Sequence, residues 1–259
     1  SWFIGLMDMT QPRVLSLQTA VPTQCYPQEV ITDFYVNLLH GQGTRHERAI
    51  RAVMGHSGVA YRYAVVEPQF FATSKSTQQR NERYMAEAVP LAAQVIQSGL
   101  QRVGLTPQDI DSLVVVSCTG FHAPGLDLLL AGQLGMSPHL SRTCIFGMGC
   151  YGSFPGIKRA VESVNTRPHG LALMLSIELC SVHLQFDDAT ESVVSTSLFA
   201  DGAGMMLIGG EHSALSGPTL IDSETYCDYK TLDHMSFTLT DQGFRMYLSS
   251  YVPDLLAAN

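Results

Sequence analysis

Hydrophobic positions change period several times along the chain, and each change marks an element. Arg13 to Pro22, RVLSLQTAVP, predicts a strand leading into a turn. PQEVITDFYVNLLH, from Pro27 to His40, carries apolar residues at helical spacing, and after a polar stretch around Gly41 to Arg48 a second helix is expected to stop near Gly55. The longest periodic segment runs from about Gln78 to Val103. It places Tyr84, Ala88, Leu91, Ala92, Val95, Ile96 and Leu100 on one helical face, with Pro90 expected to kink it.

From Ser112 onward the pattern repeats: strand SLVVVSC, a helix around Leu126 to Leu134, short strand TCIF, a glycine turn, a helix, and strand GLALMLSI. The helix after the turn has Phe154, Ile157, Ala160, Val161 and Val164 on one side, and Pro155 sits in its first turn, where the missing N–H is tolerated. These strands are continuous apolar runs, as strands covered on both faces require. FADGAGMMLIGG enters another buried strand, GPTLIDSETY and DHMSFTLT predict two more, and YVPDLLAAN starts a helix. The whole is expected to be a layered α/β protein.

With 46% hydrophobic and only 15% charged residues in 259, large internal sheets or a sizeable oligomer interface are expected. Fifteen basic against twenty-three acidic residues give a net charge of −8 without any like-charge run, which argues against a nucleic-acid partner. Six cysteines lack CxxC spacing, and SWFIGLMDMTQ lacks the basic flank and apolar run of a secretory signal, so reduced thiols and a cytoplasmic location are expected. The apolar runs are too short for a membrane span. No metal site is expected. The start at Ser1, in place of Met, points to a terminus that is processed, engineered or cut from something longer.

CIFGMGCYG, Cys144 to Gly152, supports two readings. Gly147, Gly149 and Gly152 have the G-x-G-x-x-G spacing of a dinucleotide turn, and the following strand ends in an acid, Glu178, suited to a ribose. More than half the chain precedes this turn, however, and Pro155 is out of place where helix and pyrophosphate meet. In the other reading Cys150 is a nucleophile, because unpaired N–H groups and the helix dipole favour a thiolate at a helix start. The flanking glycines let N–H groups approach an oxyanion. An inert buried cysteine is the plain alternative.

Taken in order, four segments resemble the type III polyketide synthases, the chalcone-synthase-like branch of the thiolase-fold condensing enzymes. GMGCYGSFPGI is similar to that family's nucleophile turn, and VVVSCTGFHAPGLDLLLAGQLGM to its strand and dimer-contact loop. SLFADGAGMMLIGG is similar to the gatekeeper region, and GFRMYLSSYVPDLLAAN to the segment before the last helices. The resemblance implies a thiolase-like αβαβα layered fold, with residues 1–212 a first half carrying the nucleophile and 213–259 the beginning of an incomplete second half.

It also implies an acyltransferase that condenses an acyl-CoA starter with malonyl-CoA through a thioester on Cys150, usually as a homodimer, with coenzyme A thioesters as substrates and no cofactor. Phe199 matches the gatekeeper phenylalanine; Cys118, Thr119, His183, Phe237 and Met246 match positions lining the cavity. SCTGF around Cys118 is more like bacterial than plant members, and the bulk of His183 and Phe237 implies a reshaped, smaller initiation cavity. Where plant enzymes place lysines and arginines for coenzyme A phosphates, RHERAIRAVMGHSGVAYRY offers Arg48, Arg51, His56 and Arg62 as nearby substitutes, and an acyl carrier protein is the alternative donor.

The family's His-Pro-Gly histidine and later asparagine, which decarboxylate malonyl-CoA, lie beyond the point matched by Asn259, and none of the nine histidines sits in such a stretch. Two further readings stay open: a ketoacyl synthase III-like enzyme performing one condensation, and, because those residues are not matched, a non-catalytic or incomplete subunit of the thiolase superfamily.

Overall fold

The apolar runs assemble into one five-stranded sheet, and the order of its strands decides which of them are apolar throughout. The structure, a computed structural model, describes residues 11–39, 43 and 45–249. In chain order the elements are β1 (Arg13–Ala20), β2 (Gln24–Pro27), α1 (Gln28–Leu38), α2 (Arg45–His56), β3 (Tyr61–Ala64), α3 (Thr77–Gln101), β4 (Ser112–Val116), α4 (Leu126–Leu134), β5 (Ser141–Ile145), α5 (Ser153–Asn165), β6 (Leu171–Leu179), α6 (Thr190–Leu198), β7 (Asp201–Gly209), β8 (Met235–Thr240) and β9 (Gly243–Leu248). Two units emerge. One comprises the described residues up to 20, with 88–177 and 203–224; the other comprises 21–87, 178–202 and those from 225 onward. No helix among the described residues is long and apolar enough to cross a membrane.

In the first unit the strand order is β1-β7-β6-β4-β5, with β4 parallel to both β5 and β6 and β1 antiparallel to β7. The inner strands are buried on both faces. Val114, Val116, Ala172 and Met174 face α5, where Ala160 and Val164 meet them. On the opposite face Leu113, Val115, Leu173 and Leu175 are buried. There Gly99 of α3 lies so close to Met205 that a Cβ would stand 2.4 Å from its sulfur, and Ser16 Oγ donates to Gly99 O at 2.8 Å. Each buried Val, Leu or Met side chain among these contributes about 1.5–3 kcal/mol by leaving water. This helix–sheet–helix layering is the α/β class expected from the pattern.

The second unit is mainly helical. Tyr35 and Val36 of α1, Ile50 and Met54 of α2 and Val193 of α6 form its core. Phe34, Phe71 and Phe186 add an edge-on aromatic cluster, with Phe186 centroids 5.4 Å from Phe34 and 4.8 Å from Phe71. β2 pairs with β3, and β8 with β9, each antiparallel.

Several expectations need correction. TCIF is not a doubly covered strand: β5 is the edge of the sheet, and Ser141, Arg142 and Cys144 are exposed because no strand among the described residues lies beyond them. GPTLIDSETY forms no strand. Its one bridge joins Arg13 to Thr219, Pro218 has no N–H to give a ladder, and Ile221 is 84% exposed. Phe154, expected on the inner face of α5, is 64% exposed and stacks on Tyr151 in the first turn. β2, β3 and β9 had not been expected. Pro90 lies inside α3, and the helix expected at YVPDLLAAN falls outside the described residues.

Candidate active site

Cys150 lies in a one-turn 3-10 segment, Gly149–Gly152, that leads from the end of β5 into α5. The chain reverses there through Gly147 at φ 79° and Gly149 at φ 58°, the left-handed region that glycine enters without strain. Gly152 and Gly156 then seat the helix on the sheet: a Cβ at either would come within 2.8 Å and 2.7 Å of the Val116 methyls. Ser153 Oγ and Ser176 Oγ, 3.0 Å apart, tie the first turn of α5 to β6. The result is an exposed thiol just ahead of the N-terminus of α5, the end at which a helix carries N–H groups without a partner inside it.

Cys118 and Thr119 follow β4 directly, and the fold brings them to this turn. The Cys118 thiol is buried and accepts the Gly149 N–H at 3.1 Å, while Thr119 is half-buried beside it. A sulfur acceptor thus fixes the residue immediately before Cys150. Cys144, nearby in sequence, is a different thiol. Desolvation around its sulfur, then its hydrogen bond to Asp127 at 3.0 Å, push it up to about 11, so it stays protonated at neutral pH. Asp127 also pairs with Arg142.

The other sequence-predicted residues lie in the second unit. Phe237 of β8 is the cross-strand partner of Met246 of β9, and both are half-buried. Buried His183 stacks on Phe244, with centroids 4.2 Å apart, and Phe244 lies 5.3 Å from Phe237, so these residues form one aromatic layer. Gly243, at φ 110°, is needed where that hairpin crosses His183 and Arg80: a Cβ would stand 2.7 Å from Arg80 Cδ. Phe199 follows α6. It lines a small apolar pocket open to solvent, together with Tyr26, Phe34, Phe71, Leu184 and Phe186.

On α2, Arg48 and His56 are exposed, His56 with its Nδ1 2.7 Å from Ala52 O. Arg51 is exposed but engaged by Asp33 and Glu47, each at 2.8 Å. Arg62, grouped with them by sequence, does not belong there. It is 3% exposed, with Nε donating to Gln28 Oε1 at 2.9 Å and Nη1 to Phe199 O at 3.1 Å.

Two residues of this region escaped the sequence reading, Gln28 and Asp201. Asp201 is buried and accepts from Ser181 N and Val65 N, each at 2.7 Å, and from Ser181 Oγ at 2.5 Å. Burial pushes its carboxyl up to about 6 against those hydrogen bonds and the charge of Arg62. Arg62 in turn is lowered to about 10 by burial, offset by Asp201. The signal for Asp201 was its place in FADGAGMM, a lone acid opening an apolar strand.

Four similarities to known proteins bear on this arrangement. The family model described as chalcone and stilbene synthases, N-terminal domain, matches residues 7–212. A 1,3,6,8-tetrahydroxynaphthalene synthase of Streptomyces peucetius subsp. caesius is 30% identical over 247 residues, covering 94% of this chain and 65% of that protein. The alpha-pyrone synthesis polyketide synthase-like Pks18 of Mycobacterium tuberculosis is 33% identical over 199 residues, 74% of this chain and 50% of its own length. The crystal structure of PKS-I from the brown alga Ectocarpus siliculosus superposes with a TM-score of 0.91 at 25% identity, covering 98% of this chain and 72% of that one. The chain thus spans about two thirds of the relative named first and half of the second.

Proposed function

Because the chain belongs to the chalcone and stilbene synthase family, the type III polyketide synthases, we propose that it is an acyltransferase that builds a polyketide from an acyl-CoA starter and malonyl-CoA on Cys150. The observation that carries this reading is the placement of an exposed thiol at the N-terminal turn of α5, between glycines and steadied by the Cys118 sulfur. The Cys150 thiolate attacks the starter's thioester carbonyl. The tetrahedral oxyanion is met by N–H groups of the turn, and coenzyme A leaves as its thiolate. Malonyl-CoA loses CO2, and the electron pair of the broken C–C bond becomes an enolate. That enolate attacks the acyl-cysteine, forms a C–C bond and releases the Cys150 thiolate for the next round.

Phe199 would separate the coenzyme A tunnel from the cavity. Cys118, Thr119, His183, Phe237 and Met246 would line the cavity, and the aromatic layer at His183 supports a narrowed one. Arg48 and His56, exposed on α2, are the freer candidates for the coenzyme A phosphates, with Arg51 shared with its two carboxylates. The halves 1–212 and 213–259 belong to the same reading, and the family match ending at 212 supports that division. A homodimer is supported by the apolar exposure near the β5 edge, where Phe121 is 65% and Phe146 46% exposed. The proposal needs no cofactor, and an acyl carrier protein stands as an alternative donor.

The test is incubation of the full-length protein with an acyl-CoA and intact mass spectrometry. One acyl adduct is expected, absent in Cys150→Ala; a wild type that takes up none would refute the nucleophile. Turnover with malonyl-CoA, and chain extension beyond one condensation, separates this activity from a ketoacyl synthase III-like one.

A further inference from the structure

Arg62 and Gln28 form a buried polar clamp on the turn that carries Phe199. Gln28 Nε2 donates to Ser197 O at 2.9 Å and to Ser57 Oγ at 3.0 Å, while Ser57 Oγ donates to Met54 O, 2.8 Å away, at the last turn of α2. Gln28 Oε1 accepts from Arg62 Nε, whose Nη1 reaches Phe199 O. The carbonyls on either side of Leu198 are therefore gripped by one connected pair, and the same pair ends on the helix that carries Arg48, Arg51 and His56.

Stability alone does not account for this arrangement. A guanidinium removed from water is costly, and apolar replacements of buried ion pairs are often as stable or more so. Here the cost is raised further, because Arg62 Nη2 is buried without a hydrogen-bond partner among the described residues. What the fork geometry supplies is a fixed direction for a backbone carbonyl. We propose that Arg62 and Gln28 are positioning residues for Phe199, setting how the gate stands relative to the coenzyme A end of α2 and thereby which acyl starters reach Cys150. The inference rests on Phe199 being the gate of the proposed synthase.

The experiment compares acylation rates of Cys150 by acetyl-CoA and by a long-chain acyl-CoA in the full-length protein, followed by intact mass, for Gln28→Met, Arg62→Lys, Phe199→Leu and the Gln28→Met/Phe199→Leu double variant. Thermal melts establish which are folded. Methionine keeps the volume of Gln28 without its donors, and lysine keeps the charge opposite Asp201 without the fork. A shift of about tenfold in the ratio of the two rates is expected for Gln28→Met and Arg62→Lys, in the same direction as Phe199→Leu, with the double variant moving no further. A purely structural role would lower the melting temperature and leave the ratio unchanged. If Phe199→Leu shifts the ratio while both folded clamp variants keep it, the clamp is wrong and the gate stands. If Phe199→Leu itself leaves the ratio unchanged, the gate reading fails and takes the clamp with it.

Discussion

Around Cys150 the backbone is fixed by residues with almost no side chain, whereas around Phe199 it is fixed by charged and amide side chains taken out of water. The first turn depends on Gly147 and Gly149 for their dihedral angles and on Gly152 and Gly156 for their thinness against Val116. The second depends on Gln28, Arg62 and Asp201, each buried and each hydrogen-bonded to backbone that would otherwise be free to move. A glycine turn is cheap to bury and hard to substitute. A buried charge network is costly to hold and fails abruptly when one member is lost.

The largest expected effect breaks the second region. Arg62→Met removes the cation that offsets Asp201 and leaves the Phe199 carbonyl without that donor, so destabilisation of about 3–5 kcal/mol is expected in urea unfolding. A loss below about 1 kcal/mol would mean the network is not a unit. Asp201 gives the next effect through pH. Its carboxyl is raised from 3.8 to about 6, so the folded chain holds more protons than the unfolded chain between those values. Stability from this group is therefore greatest below about pH 4 and falls by up to about 3 kcal/mol as pH rises past 6. Asp201→Asn, which cannot ionise, should flatten that part of the stability profile in melts from pH 4 to pH 7.

The contrast also explains what could be read from sequence. Glycine spacing, Pro155 and the helical face of α3 are local signals, and they suffice for the turn, α3 and α5. Cys150 stood out because its neighbours in sequence are its neighbours in space. Arg62 was misplaced because its partners are 34 and 137 positions away, so nothing in VAYRY announces burial. TCIF misled for a related reason: apolar letters cannot say whether a strand has a neighbour on each side. The link between Cys118 and the turn spans 31 positions, and only the parallel pairing of β4 with β5 makes it short.

Two glycines of the first region sharpen the comparison, because they are kept for different reasons. Gly156 has no unusual dihedral but sits 2.7 Å, at the Cβ position, from a Val116 methyl and 3.3 Å from Met174. Gly156→Ala must push α5 off the sheet or distort Val116, at about 1–3 kcal/mol. Val116→Ala in the same chain should recover part of that loss in unfolding experiments, and no recovery would place the strain elsewhere.

Gly147 presents the opposite case and the smallest effect. A Cβ there would meet nothing within 4 Å, yet φ is 79°. Only backbone strain is at stake, roughly 1 kcal/mol for Gly147→Ala, and Gly147→Asn should cost less because asparagine enters the left-handed region more readily. If alanine and asparagine cost the same in urea unfolding, the dihedral is not what selects glycine. If alanine costs more but Cys150 acylates at the wild-type rate in both, the turn's shape survives the strain, and the nucleophile is held chiefly by the Gly149 N–H on Cys118 and the seating of α5 on Val116.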